Sequence, residues 1–227
     1  MPPYIKKILA FIRTTLEAVL IRFNAVLIVY NYQTQKGTFD KIKRLIKGLQ
    51  AITRPQELYQ IYRTVQSTAN ITGEIAEVGV FEGASAKVIC EAKGPKHVFL
   101  FDTYEGLPPP TKEDEYFQNG MYACSIEEVK KYLSKYKRIH FVKGLFPKSA
   151  KERHKKLKYS FVHLDVDLYK STYDSLEFFW PRMTKGGIIL SHDYVSKGVR
   201  HAFNTFFLKR HIPVIEIPGI QCLVVKI

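Results

Sequence analysis

Apolar positions are spaced in two different ways along this chain. Over residues 1–70 they recur at helical spacing among basic and amide side chains, with almost no glycine. That pattern predicts one long or broken helix over 5–32 and a second over 38–48. A third should open near Thr53, with Pro55 and Glu57 in its first turn, and run to about Ser67. From Thr72 onward short apolar runs alternate with helical segments, the signature of βαβ units and a parallel sheet. Strands are expected at 74–80, 97–103, 139–144, 159–167, 187–192, 214–218 and 221–226, and helices at 83–92, 126–136, 147–156, 171–183 and 198–209. Between the last two strands stand only Gly219 and Ile220, with Pro218 just before them. So short a link cannot cross over, and the pair should be an antiparallel hairpin closing an otherwise parallel sheet. The chain therefore divides into accessory helices over 1–70 and an α/β domain over 71–227. The irregular stretch 104–124, containing Pro108, Pro109 and Pro110, has the length of a lid or binding loop.

Polar residues gather where the apolar runs end. The segment FVHLDVDLYKSTY, 161–173, is a strand buried on both faces that delivers Asp165 and Asp167 at its carboxyl end. Open α/β sheets bind ligands at that edge. Ser171, with Asp174 three residues on, reads as a capping box, which places both carboxylates in the strand-to-helix loop. The first βα turn, EVGVFEGAS over 77–85, carries Glu77, Gly79, Phe81, Gly83 and Ser85. A dinucleotide fingerprint needs glycine at position 81, where a pyrophosphate lies against bare backbone. Phe81 disfavours NAD there and suits a nucleoside ligand without phosphates, such as S-adenosylmethionine. Asp102, 19 residues after Gly83 and followed by Thr103, is placed to accept hydrogen bonds from ribose hydroxyls. Gly144 offers another close approach, and Phe146 is either a cover for an adenine face or part of the core. The run GGIILSHDY, 186–194, repeats the design. If the fourth and fifth strands are neighbours, Asp165, His192 and Asp193 converge and could hold one divalent cation, with Asp165 or His192 as the alternative proton acceptor.

Composition narrows the setting. The chain has 227 residues, 46% of them hydrophobic, which is enough for a sizeable core. Lys and Arg outnumber Asp and Glu by 35 to 21, a net charge of +14. The basic residues are scattered and accompany no nucleic-acid motif, so a solvated surface is expected rather than nucleic-acid binding, with membrane attraction second. Three single cysteines fit a reduced, cytoplasmic protein. The apolar segment 18–32 is short for a bilayer and contains Arg22 and Asn24, so it should pack on the domain, on a second copy of the chain or on a membrane surface.

The segments EVGVFEGAS, FDTYEGLP, HLDVDLYKST and GGIILSHDY, in this order, resemble the TylF/MycF family of S-adenosylmethionine-dependent O-methyltransferases over about 72–202. The resemblance implies a class I methyltransferase fold with strand order 3-2-1-4-5-7-6, and donor binding at Glu77, Gly79, Gly83 and Asp102. It also implies magnesium near Asp165 and an acceptor hydroxyl on a sugar or natural product. The family usually carries Asp-Asp-Tyr where this chain has His192-Asp193-Tyr194. An imidazole in place of a carboxylate removes a negative charge and favours a softer ion, such as manganese, over magnesium. A nicotinamide-dependent oxidoreductase and a non-catalytic protein that keeps the donor site are the alternative readings.

Overall fold

The structure, a computed structural model, describes residues 2–22, 32–49 and 52–227. Packing divides the chain into Met1–Gly37 and Thr38–Ile227, whereas the composition changes near residue 70. In the first unit, α1 (Pro3–Ile21) opens with proline at its first positions and carries an Arg13–Glu17 pair one turn apart. The expected helix 5–32 continues into residues 23–31, which lie outside the described residues. No helix among the described residues is long and apolar enough to cross a membrane.

Helix α2 (Tyr32–Leu45) runs into the second unit, where Phe39 stacks on Tyr59 of α3 (Pro55–Ser67). The start of α3 differs by one residue from the expected Thr53. Arg54 is its cap, and the Arg54 N–H donates to Glu57 Oε2 at 2.7 Å.

Seven strands follow: β1 (Glu74–Val78), β2 (Val98–Asp102), β3 (Ile139–Lys143), β4 (Tyr159–Leu164), β5 (Met183–Ser191), β6 (Ile215–Ile217) and β7 (Gln221–Val225). They form one sheet in the order β3-β2-β1-β4-β5-β7-β6. The first five pair in parallel, and β7 runs antiparallel to both β5 and β6, as the short Pro218–Ile220 link requires. Helices α4 (Ala84–Ala92), α5 (Ile126–Tyr132), α6 (Glu152–Lys156), α7 (Tyr169–Phe179) and α8 (Lys197–Leu208) supply the connections. Phe101, Phe146, Phe178, Phe179, Phe203, Phe206 and Phe207 fill one continuous core, with Phe146 stacked on Phe179 at 5.1 Å.

Several boundaries depart from the sequence pattern: α6 starts at Glu152 rather than 147, α5 ends at Tyr132 rather than 136, β4 ends at Leu164 rather than 167, and two departures bear on the site. Strand β5 begins at Met183, inside the expected helix 171–183, because Met183 pairs with Tyr159 across a bulge. Helix α7 begins at Tyr169, so Ser171 lies inside it and Ser171–Asp174 is not a capping box. The cap comes from elsewhere: Asp114 Oδ1 accepts the Tyr169 N–H at 2.6 Å, while Asp114 Oδ2 holds Thr111. Glu113–His201 and Glu115–Lys197 contacts, at 3.1 and 2.8 Å, fasten the same loop to α8.

Candidate active site

Register decides what meets at the carboxyl edge. Val78 of β1 pairs with Leu164 of β4, and Leu164 pairs with Ser191 of β5. The next residue of each strand, Gly79, Asp165 and His192, therefore emerges at the same level. The Asp165 N–H still donates to Val78 O, and the His192 N–H to Leu164 O, so both side chains are delivered by the last rungs of the sheet.

A cleft opens over this edge. Of the residues expected at a donor, Gly79, Phe81, Ser85, Asp102, Thr103, Gly144 and Phe146 line it, and so do Asp165, Asp167, His192 and Asp193. Glu77 and Gly83 do not. Glu77 is fully buried within the sheet, with Oε1 2.8 Å from His163 Nδ1, and burial raises its carboxyl above the usual range. Gly83 starts α4 in the left-handed region, and a Cβ there would stand 3.2 Å from Val129, so its place reflects the packing of α5.

Asp102 has a more local task than its spacing suggested. Its Oδ2 accepts the N–H groups of Val80 and Phe81 at 2.6 and 3.0 Å, and its Oδ1 accepts that of Tyr104 at 2.6 Å. An ionised carboxylate offers about four acceptor positions, so about one is left for a ligand hydroxyl. These bonds hold Phe81 at φ 47°, a left-handed conformation that a bulky residue seldom adopts. Asp102→Ala should accordingly cost roughly 2–4 kcal/mol of stability, from three N–H groups losing a charged acceptor, as well as ligand affinity. Thermal unfolding run beside ligand titration checks this. A variant with unaltered Tm would show that the turn does not depend on the carboxylate. Phe146 touches the cleft but is buried against Phe101, Phe178 and Phe179, so it belongs first to the core.

The charged cluster is dense. His192 Nδ1 lies 2.8 Å from Asp193 Oδ2 and 3.4 Å from Asp165 Oδ1, and Nε2 lies 3.3 Å from Glu57 Oε2 on α3. Three carboxylates therefore face the two ring nitrogens, an arrangement that favours an N–H on both and so a positive charge on the ring. Burial opposes that charge, but Asp165, Asp193 and Glu57 together raise His192 far above the ordinary imidazole range. Burial likewise pushes Asp165 upward, yet the His192 charge and hydrogen bond outweigh it and hold the carboxyl down at about 2. Asp193 is raised by burial, against the His192 hydrogen bond. Asp167 is raised well above the carboxylate range, by burial first and then by Asp165 and Asp193. It is held at φ 58° and has no ion pair with His192. From the 104–124 loop, Tyr122 reaches the cleft and packs edge-on against Phe81.

The donor set fits a divalent cation. One ligand atom each from Asp165, His192 and Asp193 lies within 4.8 Å of the others. The second imidazole nitrogen faces a carboxylate, as is usual for metal-bound histidine.

Over residues 41–222 the sequence matches the family described as macrocin-O-methyltransferase (TylF). The chain belongs to that family. The match begins within α2 and includes all of α3, so the helix that brings Glu57 to the site falls within the matched span. Among relatives of the TylF chain, the 8-demethyl-8-(2,3-dimethoxy-alpha-L-rhamnosyl)-tetracenomycin-C 4'-O-methyltransferase of Streptomyces olivaceus is 27% identical over 168 residues, 66% of this chain and 64% of that protein. The demethyldecarbamoylnovobiocin O-methyltransferase of Streptomyces niveus is 27% identical over 144 residues, 56% of this chain and 54% of that one. The chain thus spans between half and two thirds of these relatives' length. The calicheamicin methyltransferase CalS11 shares the fold, with a TM-score of 0.66, 18% identity and coverage of 87% of this chain and 94% of its own.

Glu57, Asp114 and Tyr122 were not singled out from the sequence as site residues. Glu57 carried only the signal of a cap at its N3 position, and Asp114 and Tyr122 only that of the long loop 104–124 that holds them.

Proposed function

We propose that this chain is an S-adenosylmethionine-dependent O-methyltransferase that acts on a sugar hydroxyl of a glycoside or related natural product. The observation that carries the reading is the shared cleft. A glycine-bearing turn with Phe81 where a dinucleotide site needs glycine, held by Asp102, lies beside four titratable side chains at the end of β4 and β5. TylF membership supports methyl transfer, and the S. olivaceus relative's name, which specifies a rhamnosyl unit, supports a sugar acceptor.

In this reading the acceptor oxygen attacks the sulfonium methyl carbon. The O–C bond forms as the S–C bond breaks, and S-adenosylhomocysteine leaves as a neutral thioether. The acceptor proton goes to Asp167. Asp165 and His192, the acceptors suggested by the sequence, suit the task less: Asp165 is held down at about 2, which makes it a weak base, and His192 is raised far above the imidazole range, which favours its protonated form. A divalent cation, magnesium or a softer ion such as manganese, would be held by Asp165, His192 Nδ1 and Asp193. When bound it would polarise the acceptor hydroxyl. Nδ1 would have to be free of a proton to hold such a cation, so binding should strengthen as pH rises.

The test is incubation with methyl-labelled S-adenosylmethionine and a panel of rhamnosylated and other glycosides. The expected product carries the label on a sugar oxygen. S-adenosylhomocysteine binding without transfer to any acceptor would favour the non-catalytic alternative, and NADH binding in its place would favour the oxidoreductase.

For the surroundings we propose a cytoplasmic enzyme, in keeping with the free Cys90, Cys124 and Cys222. It would pair with a second copy through the apolar segment 5–32, with peripheral membrane contact as the lesser alternative. Removing residues 1–35 should then produce aggregation in light scattering. A soluble, monomeric and fully active truncation would contradict both arrangements.

A further inference from the structure

Glu57 has no place in the sequence reading of the site, yet it is 3% exposed and sits 135 positions from the histidine it faces. A capping glutamate at the third position of a helix needs only the cap N–H and can remain in water. Glu57 accepts the Arg54 N–H with Oε2 and turns that same oxygen to His192 Nε2, while Oε1 is buried with no hydrogen-bond partner. A carboxylate buried only to complete a cap is unfavourable unless a hydrogen-bond donor meets it. The group it meets here is His192 Nε2, at 3.3 Å. The backbone around it is tied down as well: Gln221 Nε2 of β7 lies 3.5 Å from Glu57 O, and α3 packs on β4 and β5.

We infer that Glu57 is a positioning residue: it fixes the His192 ring through Nε2 so that Nδ1, and not Nε2, faces Asp165 and Asp193. Without that anchor the ring has a second arrangement, rotated about its bond to the chain, in which Nδ1 leaves the two aspartates. The helical segment ahead of the sheet thereby completes the charged centre. For its effect on turnover this rests on the methyl-transfer reading above; for the histidine itself it does not.

The test uses the full chain and three glutamate variants, with the His192 Nε2–H resonance in nitrogen-edited spectra assigned by its loss in His192→Asn. Native protein should show that resonance protected from exchange. In Glu57→Ala it should disappear, with Mn2+ binding weakened and kcat lowered by about 10- to 100-fold, the usual cost of losing the partner behind a metal-binding histidine. Glu57→Gln can still accept through its amide oxygen, so it should keep a protected resonance at a shifted position and recover most of the turnover. Glu57→Asp, one methylene too short, should behave between the two. If Glu57→Ala does not fold, the glutamine variant decides: an unmoved resonance overturns the inference. A folded Glu57→Ala protein with native resonance and native kcat also overturns it, as does a fall in Tm alone, which is what a simple cap would give. A native protein that transfers no methyl group, but whose His192 resonance follows Glu57 as described, refutes the methyl-transfer reading and leaves the positioning role standing.

Discussion

Replacing Asp167 by asparagine should lower kcat by about 10²- to 10⁴-fold, the range for loss of a general base, and leave S-adenosylhomocysteine affinity nearly unchanged. Three aspartates meet at the edge of the cleft, and His192 separates their roles. Asp165 and Asp193 lie against the His192 ring, while Asp167 does not. Burial, reinforced by the two neighbouring carboxylates, raises Asp167 well above the ordinary carboxylate range, and a more basic carboxylate is a better proton acceptor. Asparagine keeps the size of the side chain and tolerates the left-handed backbone at φ 58°, so the loop should persist. The pH profile gives a second reading. A base must be unprotonated, so the native rate should fall as pH drops through the raised Asp167 value, with an acid limb above the roughly 3.9 of a free aspartate. The asparagine variant should lack that limb. An unchanged kcat in a folded Asp167→Asn protein would return the proton to Asp165 or His192.

Gly79→Ala should be the most damaging single-methyl change in the sheet-bearing unit. Gly79 has φ 82°, and a Cβ there would lie 1.7 Å from the carbonyl oxygen of Asp165 and 2.7 Å from its carbonyl carbon. Backbone cannot step aside as a flexible side chain can. The left-handed conformation costs alanine about 1–2 kcal/mol, and forcing β1 and β4 apart adds roughly 1–3 kcal/mol. The strain falls on the residue that supports the cluster, so donor binding should be lost together with about 2–5 kcal/mol of stability. Denaturant unfolding and S-adenosylhomocysteine titration measure the two effects. A stable Gly79→Ala protein that binds the nucleoside normally would mean that the β1–β4 edge can relax in a way this geometry does not allow.

The sheet was legible because its strands are short apolar runs bounded by turns, and the hairpin because two residues cannot form a crossover. The convergence of Asp165, His192 and Asp193 followed from two strand ends, once their neighbourhood was granted. What the pattern could not carry was side-chain direction and long-range partnership. Strand β1 is buried on both faces from Ile75 to Val78, so no alternation revealed that Glu77 turns into the sheet toward His163. The start of α7 was misplaced because its cap, Asp114, stands 55 residues away. Spacing put Asp102 at the right edge but could not show that the backbone would take most of its acceptors. Glu57 was hidden for the same reason as Asp114: a cap is a local signal, and the contact that matters crosses the fold.

The central claim is that the cleft beside β1 binds a nucleoside methyl donor and opens onto Asp167. Calorimetric titration of S-adenosylhomocysteine into the native protein and into Asp167→Asn tests it most directly. Saturable binding of one nucleoside per chain, with closely similar affinity in both proteins and no displacement by NADH, is the predicted result. Absence of binding to the native protein, or displacement by NADH, would contradict it.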